Sequence, residues 1–169
     1  MKSSFHAVCE DSPDMPPIQT AIHTRIATLA DADAIAPLFD AYRQFYEQPA
    51  DKPLATRFIR DRLRLNESVI LLATEDHKIL GFCQLYPTFC SVQAMPICSL
   101  YDLFVLPEAR RCGAGKALLQ AAERYAAQNG YARLDLTTAK TNSSAQSLYE
   151  SLGWVRDEVF HAYSKHVES

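Results

Sequence analysis

The sequence predicts one mixed α/β domain: a central twisted mixed sheet of about seven strands flanked by four helices, in the order β-α-α-β-β-β-α-β-α-β-β. Three observations carry this expectation. The chain has 169 residues, 48% hydrophobic and 22% charged, an ordinary balance for a single domain with a real core. Two runs of helical periodicity each follow a strand-like apolar run, which is the pattern of crossover helices beside parallel strands. The other apolar runs are short and bounded by Asn, Gly, Pro or charged clusters, as strands and hairpins are.

The elements follow in order. Residues 1–20, with Ser12-Pro13-Asp14 and Met15-Pro16-Pro17, read as a flexible leader, and residues 21–169 as the domain. His23 to Ala27 is a short strand, and Thr28-Leu29-Ala30-Asp31 resembles a capping box with Thr28 or Asp31 as the cap. Ile35, Leu38, Phe39, Tyr42, Phe45 and Tyr46 then mark one buried helical face. Pro37 removes one N–H donor, so the start of that helix is expected to be irregular or late. A second helix opens at Asp51-Lys52-Pro53 and runs to Leu65, with Asn66 as its stop. Ser68 to Thr74 and Ile79 to Tyr86 read as hairpin strands, Pro87 to Met95 as a loop, and Ile97 to Leu106 as a long central strand. Ala114 to Gln128 is a periodic helix stopped by Asn129-Gly130, and Arg133 to Thr138 is a strand. Ser143 to Leu152 is a helix ended by Gly153, and Trp154 to Val159 and Phe160 to Val167 finish the chain as strands.

Charge and composition exclude several function classes. Seventeen Lys and Arg against twenty Asp and Glu give a net charge of −3, which removes the bulk electrostatic case for a nucleic-acid partner or an anionic membrane. No run reaches the length of a bilayer span, and Glu10, Asp11 and Asp14 stand where a signal peptide needs an apolar stretch. The expectation is a soluble, cytoplasmic protein. Cys9, Cys83, Cys90, Cys98 and Cys112 are odd in number with no Cys-x-x-Cys pair, and the histidines form no His-Glu-x-x-His pattern. Neither a disulfide framework nor a metal site is expected.

The chemistry concentrates in one stretch. A strand ending at Leu106 feeds the loop Pro107-Glu108-Ala109-Arg110-Arg111-Cys112-Gly113-Ala114-Gly115-Lys116, which opens a long helix. Glycines at a helix start let backbone N–H groups approach an anion, and the helix end adds partial positive charge. Arg110, Arg111 and Lys116 add formal charge, so a phosphate or pyrophosphate suits the place. A dinucleotide fingerprint would need a third glycine where Leu118 stands, and a P-loop would need a glycine at Arg110 and Ser or Thr at Ala117. The residues alone also allow a helix start whose glycines serve only close packing.

Arg110-Arg111-Cys112-Gly113-Ala114-Gly115 resembles the Arg/Gln-x-x-Gly-x-Gly/Ala loop of the GNAT acetyltransferase superfamily, with its preceding strand and following helix. Asn142-Ser143-Ser144-Ala145-Gln146-Ser147-Leu148-Tyr149-Glu150-Ser151-Leu152-Gly153-Trp154 resembles that family's Asn…Ala…Leu-Tyr…Leu-Gly-Phe segment, and Arg25-Ile26-Ala27-Thr28…Asp31 its opening. The departures are Arg111 in place of the usual glycine and Trp154 in place of phenylalanine. The resemblance implies a GNAT fold and acetyl-CoA as co-substrate, lying between two splayed parallel strands. It implies that Leu103 and Val105 pair with the pantetheine arm through their backbone, and that backbone near Phe104 donates to the thioester oxygen. The pyrophosphate would rest on Arg110, Arg111, Cys112, Gly113, Ala114, Gly115 and Lys116. Asn142 would bond the arm and Tyr149 would protonate the departing thiolate. Read without the family, Asn142 caps the next helix and Tyr149 is a packed aromatic; both readings stay open.

The expected acceptor is a primary amine, whose ammonium must lose a proton before attack. Asp102, an acid inside an apolar strand, fits the role of holding that cation and taking its proton, with Tyr101 pointing to the opposite face. A structural Asp102 bonded to loop backbone is the competing reading. The stretches Phe82 to Phe89 and Leu100 to Val105 look like the diamine and thialysine branch of the superfamily, and Tyr42 to Tyr46 with Leu148 to Trp154 like its bacterial histone-acetyltransferase-like members. Both suggest a cationic acceptor (polyamine, diamine or lysine-like), in a pocket lined by Tyr42, Tyr46, Glu47, Tyr86 and Phe89. Two rival functions remain: a protein-lysine or histone-type acetyltransferase, and a non-catalytic acyl-CoA-binding module. The resemblance also implies a homodimer through the last strands, around Trp154, Phe160 and Tyr163.

Overall fold

The computed structural model describes residues 21–167; the expected leader, with Cys9, lies outside them. The chain enters through β1 (His23–Ile26), and Arg25 at once fixes the first turn. Its guanidinium donates to both carboxylate oxygens of Asp31 at 2.8 and 2.6 Å, while Asp31 also accepts the Thr28 N–H at 2.7 Å. This fork holds the Asp31 carboxyl well below the usual carboxylate range. A 3-10 turn over Leu29–Asp31 leads into α1 (Ala32–Phe45), which starts before Pro37 and runs through it, so the late start expected from that proline does not occur: near a helix start only one N–H donor is lost. The Asp51 carboxylate accepts the Leu54 N–H at 2.9 Å and caps α2 (Lys52–Leu65), and Asn66 closes it at φ 53°. Buried Asp40 ties the two helices by accepting the Asp51 N–H at 2.9 Å.

Strands β2 (Val69–Glu75), β3 (Lys78–Cys90), β4 (Met95–Val105) and β5 (Leu134–Asp135) complete a five-stranded sheet in the order β1-β2-β3-β4-β5. The first four pair antiparallel and β4 with β5 parallel. Between the last two runs α3 (Ala114–Gln128), and α4 (Ser143–Ser151) follows β5. Because strand side chains alternate, Ile70 and Leu72 with Phe82 and Phe104 meet α1 and α2 on one face. Leu71, Cys83, Leu85 and Leu100 meet α3 on the other, with Leu148 of α4 packed beside them. The result is three layers, helices on both sides of the sheet.

Three sequence expectations need correction. The described residues hold five strands, not about seven: neither Trp154 to Val159 nor Phe160 to Val167 forms a strand. A strand needs a ladder partner and a covered face. Instead Val155 and Tyr163 are each 92% exposed, and Phe160 79%. The strand expected over residues 133–138 shrinks to Leu134–Asp135, because only those residues find partners on β4. Most of the segment from Pro87 to Met95, expected as loop, is strand, with the hairpin turn confined to 91–94. Pro87 is tolerated because its missing N–H faces the side where β2 has already ended, β2 pairing with β3 no further than Val69 with Leu85.

Candidate active site

The site begins where β4 and β5 part. They pair only at Cys98 with Leu134 and Ser99 with Asp135, and the Cys98 N–H donates to the Arg133 carbonyl at 3.1 Å. From Leu100 onward β4 continues along β3 with no strand of the described residues on its other edge. Within this stretch lies a bulge: Gln84 pairs with Asp102 but Leu85 with Leu100, so Tyr101 is an extra residue. Its effect is visible in the backbone. Cys98 points its N–H at β5, whereas Leu106 donates to the Leu80 carbonyl next to β3 at 2.9 Å. In an unbroken strand these two even-numbered residues would point the same way. The bulge reverses the alternation, so the backbone groups of Leu103 and Val105 face the open edge and those of Phe104 face β3. A donor to a molecule on that edge therefore belongs to Leu103 or Val105, the neighbours of Phe104.

The bulge also corrects the side-chain reading. Tyr101 and Asp102, expected on opposite faces, line the same cavity on the α1–α2 side. The extra residue breaks the pleat at that point, letting successive side chains share a face.

At the end of the open edge lies the glycine loop. A 3-10 turn over Pro107–Ala109 is followed by Arg111 at φ 67° and Gly113 at φ 97°. Cys112 donates its thiol to the Ala109 carbonyl, and Arg110 donates Nε to the Val105 carbonyl at 3.2 Å with its guanidinium 5.9 Å from the Phe45 ring centroid. The first intrahelical bond of α3 runs from the Ala117 N–H to the Gly113 carbonyl at 2.9 Å, so the N–H groups of Ala114, Gly115 and Lys116 have no acceptor in the helix. A Cβ on Gly115 would lie 3.4 Å from Leu148 Cδ2, which brings α4 close against this helix end. Arg111 and Lys116 are exposed there. Freed N–H groups, two left-handed residues and three cations make a mouth that suits a pyrophosphate.

Asp102 is 6% exposed, and burial raises its carboxyl from 3.8 to about 6, with the nearby Tyr42 hydroxyl opposing the rise. Beside it on β3, Gln84 donates Nε2 to Ser68 Oγ at 2.6 Å and leaves Oε1 buried without a donor among the described residues. Burial pushes the Tyr42 hydroxyl far above its usual range and Tyr86 up to about 12. The cavity that Asp102 faces has a volume of about 590 Å³. It is lined by Phe39, Tyr42 and Phe58 from the helices, Tyr86 and Thr88 from β3, and Ser99 and Tyr101 from β4. Of the residues expected to line an acceptor pocket, Tyr42 and Tyr86 do, whereas Tyr46, Glu47 and Phe89 do not. Phe89 sits on the hairpin arm, 78% exposed. Phe39 and Phe58 were not singled out for the site, although Phe39 stood on the apolar face of α1; nothing in their sequence spacing separates a pocket wall from a core contact.

Tyr149 of α4 is half-buried, 6.0 Å from the Trp154 ring, and burial and the nearby Tyr46 raise its hydroxyl while Thr138 opposes. Tyr46 also packs edge-on against Tyr42 at 5.1 Å, and Phe45 beside it meets Arg110. The C-terminal end of α1 thus borders Asp102 through Tyr42, Tyr149 through Tyr46, and the glycine loop through Phe45, a convergence that sequence reading missed. Asn142 caps α4, its Oδ1 accepting the Ala145 N–H at 3.2 Å, which leaves Nδ2 to donate elsewhere. Among the described residues no group of His, Cys, Asp or Glu side chains is arranged to hold a metal ion.

Comparison with known proteins gives a consistent result. The model of the acetyltransferase (GNAT) family matches residues 35–154. The chain is 49% identical over 146 residues to the uncharacterized N-acetyltransferase YhfO of Bacillus subtilis (strain 168), covering 86% of this chain and 98% of that one. It is 32% identical over 123 residues to a probable acetyltransferase of Haemophilus influenzae, covering 65% and 84%. The crystal structure of a probable acetyltransferase superposes with a TM-score of 0.81 at 38% identity, covering 87% of this chain and 99% of that one.

Proposed function

The chain belongs to the GNAT acetyltransferase family, and from that premise we propose that it moves the acetyl group of acetyl-CoA to the primary amine of a small cationic acceptor, by direct attack in a ternary complex. That it is an acyltransferase enzyme follows from the family and the named relatives; the acceptor class and the residue roles are our reading. The observation that carries the reading is a juxtaposition. The open edge of β4 has the glycine loop at its end, and the aromatic cavity with buried Asp102 on the α1–α2 side.

Acetyl-CoA, when bound, supplies a thioester as acyl donor. The freed N–H groups of α3 with Arg110, Arg111 and Lys116 hold its diphosphate, alongside Cys112, Gly113, Ala114 and Gly115. Leu103 and Val105 offer backbone groups to the pantetheine arm as a neighbouring strand would, and their N–H groups polarise the acyl oxygen. Phe104 between them packs into the α1–α2 core and anchors the strand at this point. Asn142 Nδ2 donates to the arm. Asp102, ionised above about pH 6, holds the ammonium and accepts the proton that must leave before attack. Tyr149, kept protonated by its raised pKa, gives a proton to the departing thiolate.

A cavity of about 590 Å³ has room for a small amine beside Asp102. We further propose a homodimer formed through the segment after Trp154, whose Val155, Phe160 and Tyr163 are exposed. We place the enzyme in the cytoplasm, a compartment that keeps free thiols such as Cys83, Cys90, Cys98 and Cys112 reduced. No helix among the described residues is long and apolar enough to cross a membrane.

Free-thiol release from acetyl-CoA across a panel of amines, amino acids and histone tails tests the reading, paired with calorimetry of coenzyme A binding. Coenzyme A is expected to bind the wild type, and Gly113→Asp is expected to abolish that binding by placing an anion at the loop's left-handed residue. Binding that survives Gly113→Asp unchanged would remove the glycine loop from the cofactor site.

A further inference from the structure

The cavity in front of Asp102 is chemically one-sided. Its walls are the rings of Phe39, Tyr42, Phe58, Tyr86 and Tyr101, two hydroxyl side chains complete them, and Asp102 is the single carboxylate among the lining residues. The next acid towards Tyr86 is Glu67, and it is held by the Arg62 Nε at 2.7 Å. Arg62 in turn lies over the Phe58 ring at 4.9 Å, so the carboxylate behind the aromatic wall is already paired with a cation.

One ammonium entering this space meets a carboxylate and the faces of several rings, both favourable. A second ammonium on the same molecule would find no second carboxylate among the lining residues, and ring faces alone do not offset the loss of its water without an anion to pair with. An uncharged hydrocarbon or aromatic body, by contrast, gains by leaving water for such walls.

This inference rests on the acceptor reading above and narrows it. We infer that the acceptor is a primary amine bearing one positive charge on an apolar, aromatic or aliphatic body, and that diamines and polyamines are poor substrates. Asp102 takes the ammonium and the ring cluster selects the body.

The test compares 2-phenylethylamine and hexylamine with putrescine and spermidine as acceptors of the full-length enzyme, reading kcat/KM for acetyl transfer. The monoamines are expected to exceed the diamine by about tenfold or more, a margin of one uncompensated charge. A wild type that prefers putrescine or spermidine would overturn the inference. Thr88→Asp adds a second carboxylate to the cavity wall and is expected to shift the preference towards putrescine by about tenfold; an unchanged ratio would also count against it. Calorimetry of the same four amines without acetyl-CoA reads the cavity alone. Tighter binding of 2-phenylethylamine than putrescine supports the inference, and equal or weaker binding overturns it. Failure to acetylate any amine while acetyl-CoA still binds would instead strike the transferase reading, and the binding arm would still decide the cavity's preference.

Discussion

Asp102 carries a conflict between stability and chemistry that separates its two readings. Folding raises its carboxyl from 3.8 to about 6, so between those values the folded chain holds the proton more tightly than the unfolded one. Stability from this group therefore falls as pH rises from about 4 to about 6, and above that the full penalty of a buried carboxylate persists, on the order of 2–3 kcal/mol. Asp102→Asn is expected to raise Tm at pH 7 and to leave it little changed at pH 4, measured by thermal unfolding at both values. A structural aspartate bonded to backbone would show the reverse, with loss of stability at pH 7. The same substitution is expected to lower kcat/KM by about 10²-fold or more and to erase an activity rise centred near pH 6. The hydroxyls facing Asp102 with a shifted ionisation, Tyr42 and Tyr86, are both pushed upwards, as is Cys83 across the sheet, away from that range. Tyr149→Phe keeps the ring packed against Trp154 and removes only the hydroxyl, so kcat is expected to fall by about 10²-fold with unchanged thermal stability. An unaltered kcat would leave Tyr149 as a packed aromatic.

Elements closed by local chemistry were legible in the sequence. The Arg25, Thr28 and Asp31 cluster, the Asp51 cap, the Asn66 stop and the limits of α3 all depend on residues a few positions apart. The site's decisive features were not. The bulge at Tyr101 and the two-residue pairing of β5 arise from strand partners far away in the chain, and the alternation rule assumes that no such break exists. That is why the burial of Asp102 in an apolar strand is legible in the sequence while the face that Tyr101 takes is not. Asn142 shows the intermediate case: the capping bond is local and was readable, whereas a role towards a ligand was implied only by the resemblance. The glycine loop yields a prediction at this scale. Arg111 holds φ 67°, a left-handed conformation that costs a side chain about 1 kcal/mol and that glycine adopts freely. Arg111→Gly is expected to raise stability by up to about 1 kcal/mol in denaturant titration and to weaken coenzyme A binding by losing a cation, measured by calorimetry. Stabilisation with unchanged affinity would show that Arg111 does not face the diphosphate.

At the scale of the whole molecule the sheet ends too soon. β5 pairs over two residues only, and the chain beyond Trp154 leaves Val155, Val159, Phe160, Tyr163 and Val167 at 79% exposure or more. These apolar side chains recur along the segment and are left uncovered by the described residues, which is the surface on which the proposed homodimer is built. In that proposed dimer a second copy would meet the segment symmetrically, each covering the other's exposed residues about a two-fold axis. The full-length protein is expected to sediment as two chains at micromolar concentration. Phe160→Asp combined with Tyr163→Asp places two like charges in that contact and is expected to yield a monomer with the circular dichroism of the wild type, because neither residue is among the two core clusters of the domain. Acetyl transfer by that monomer then tells whether assembly matters to the site. Tyr149 leans on Trp154 at the very start of the segment, so loosening its anchor is expected to lower kcat more than it raises KM. A wild type that sediments as one chain up to high concentration would remove the dimer and leave those residues as ordinary exposed surface.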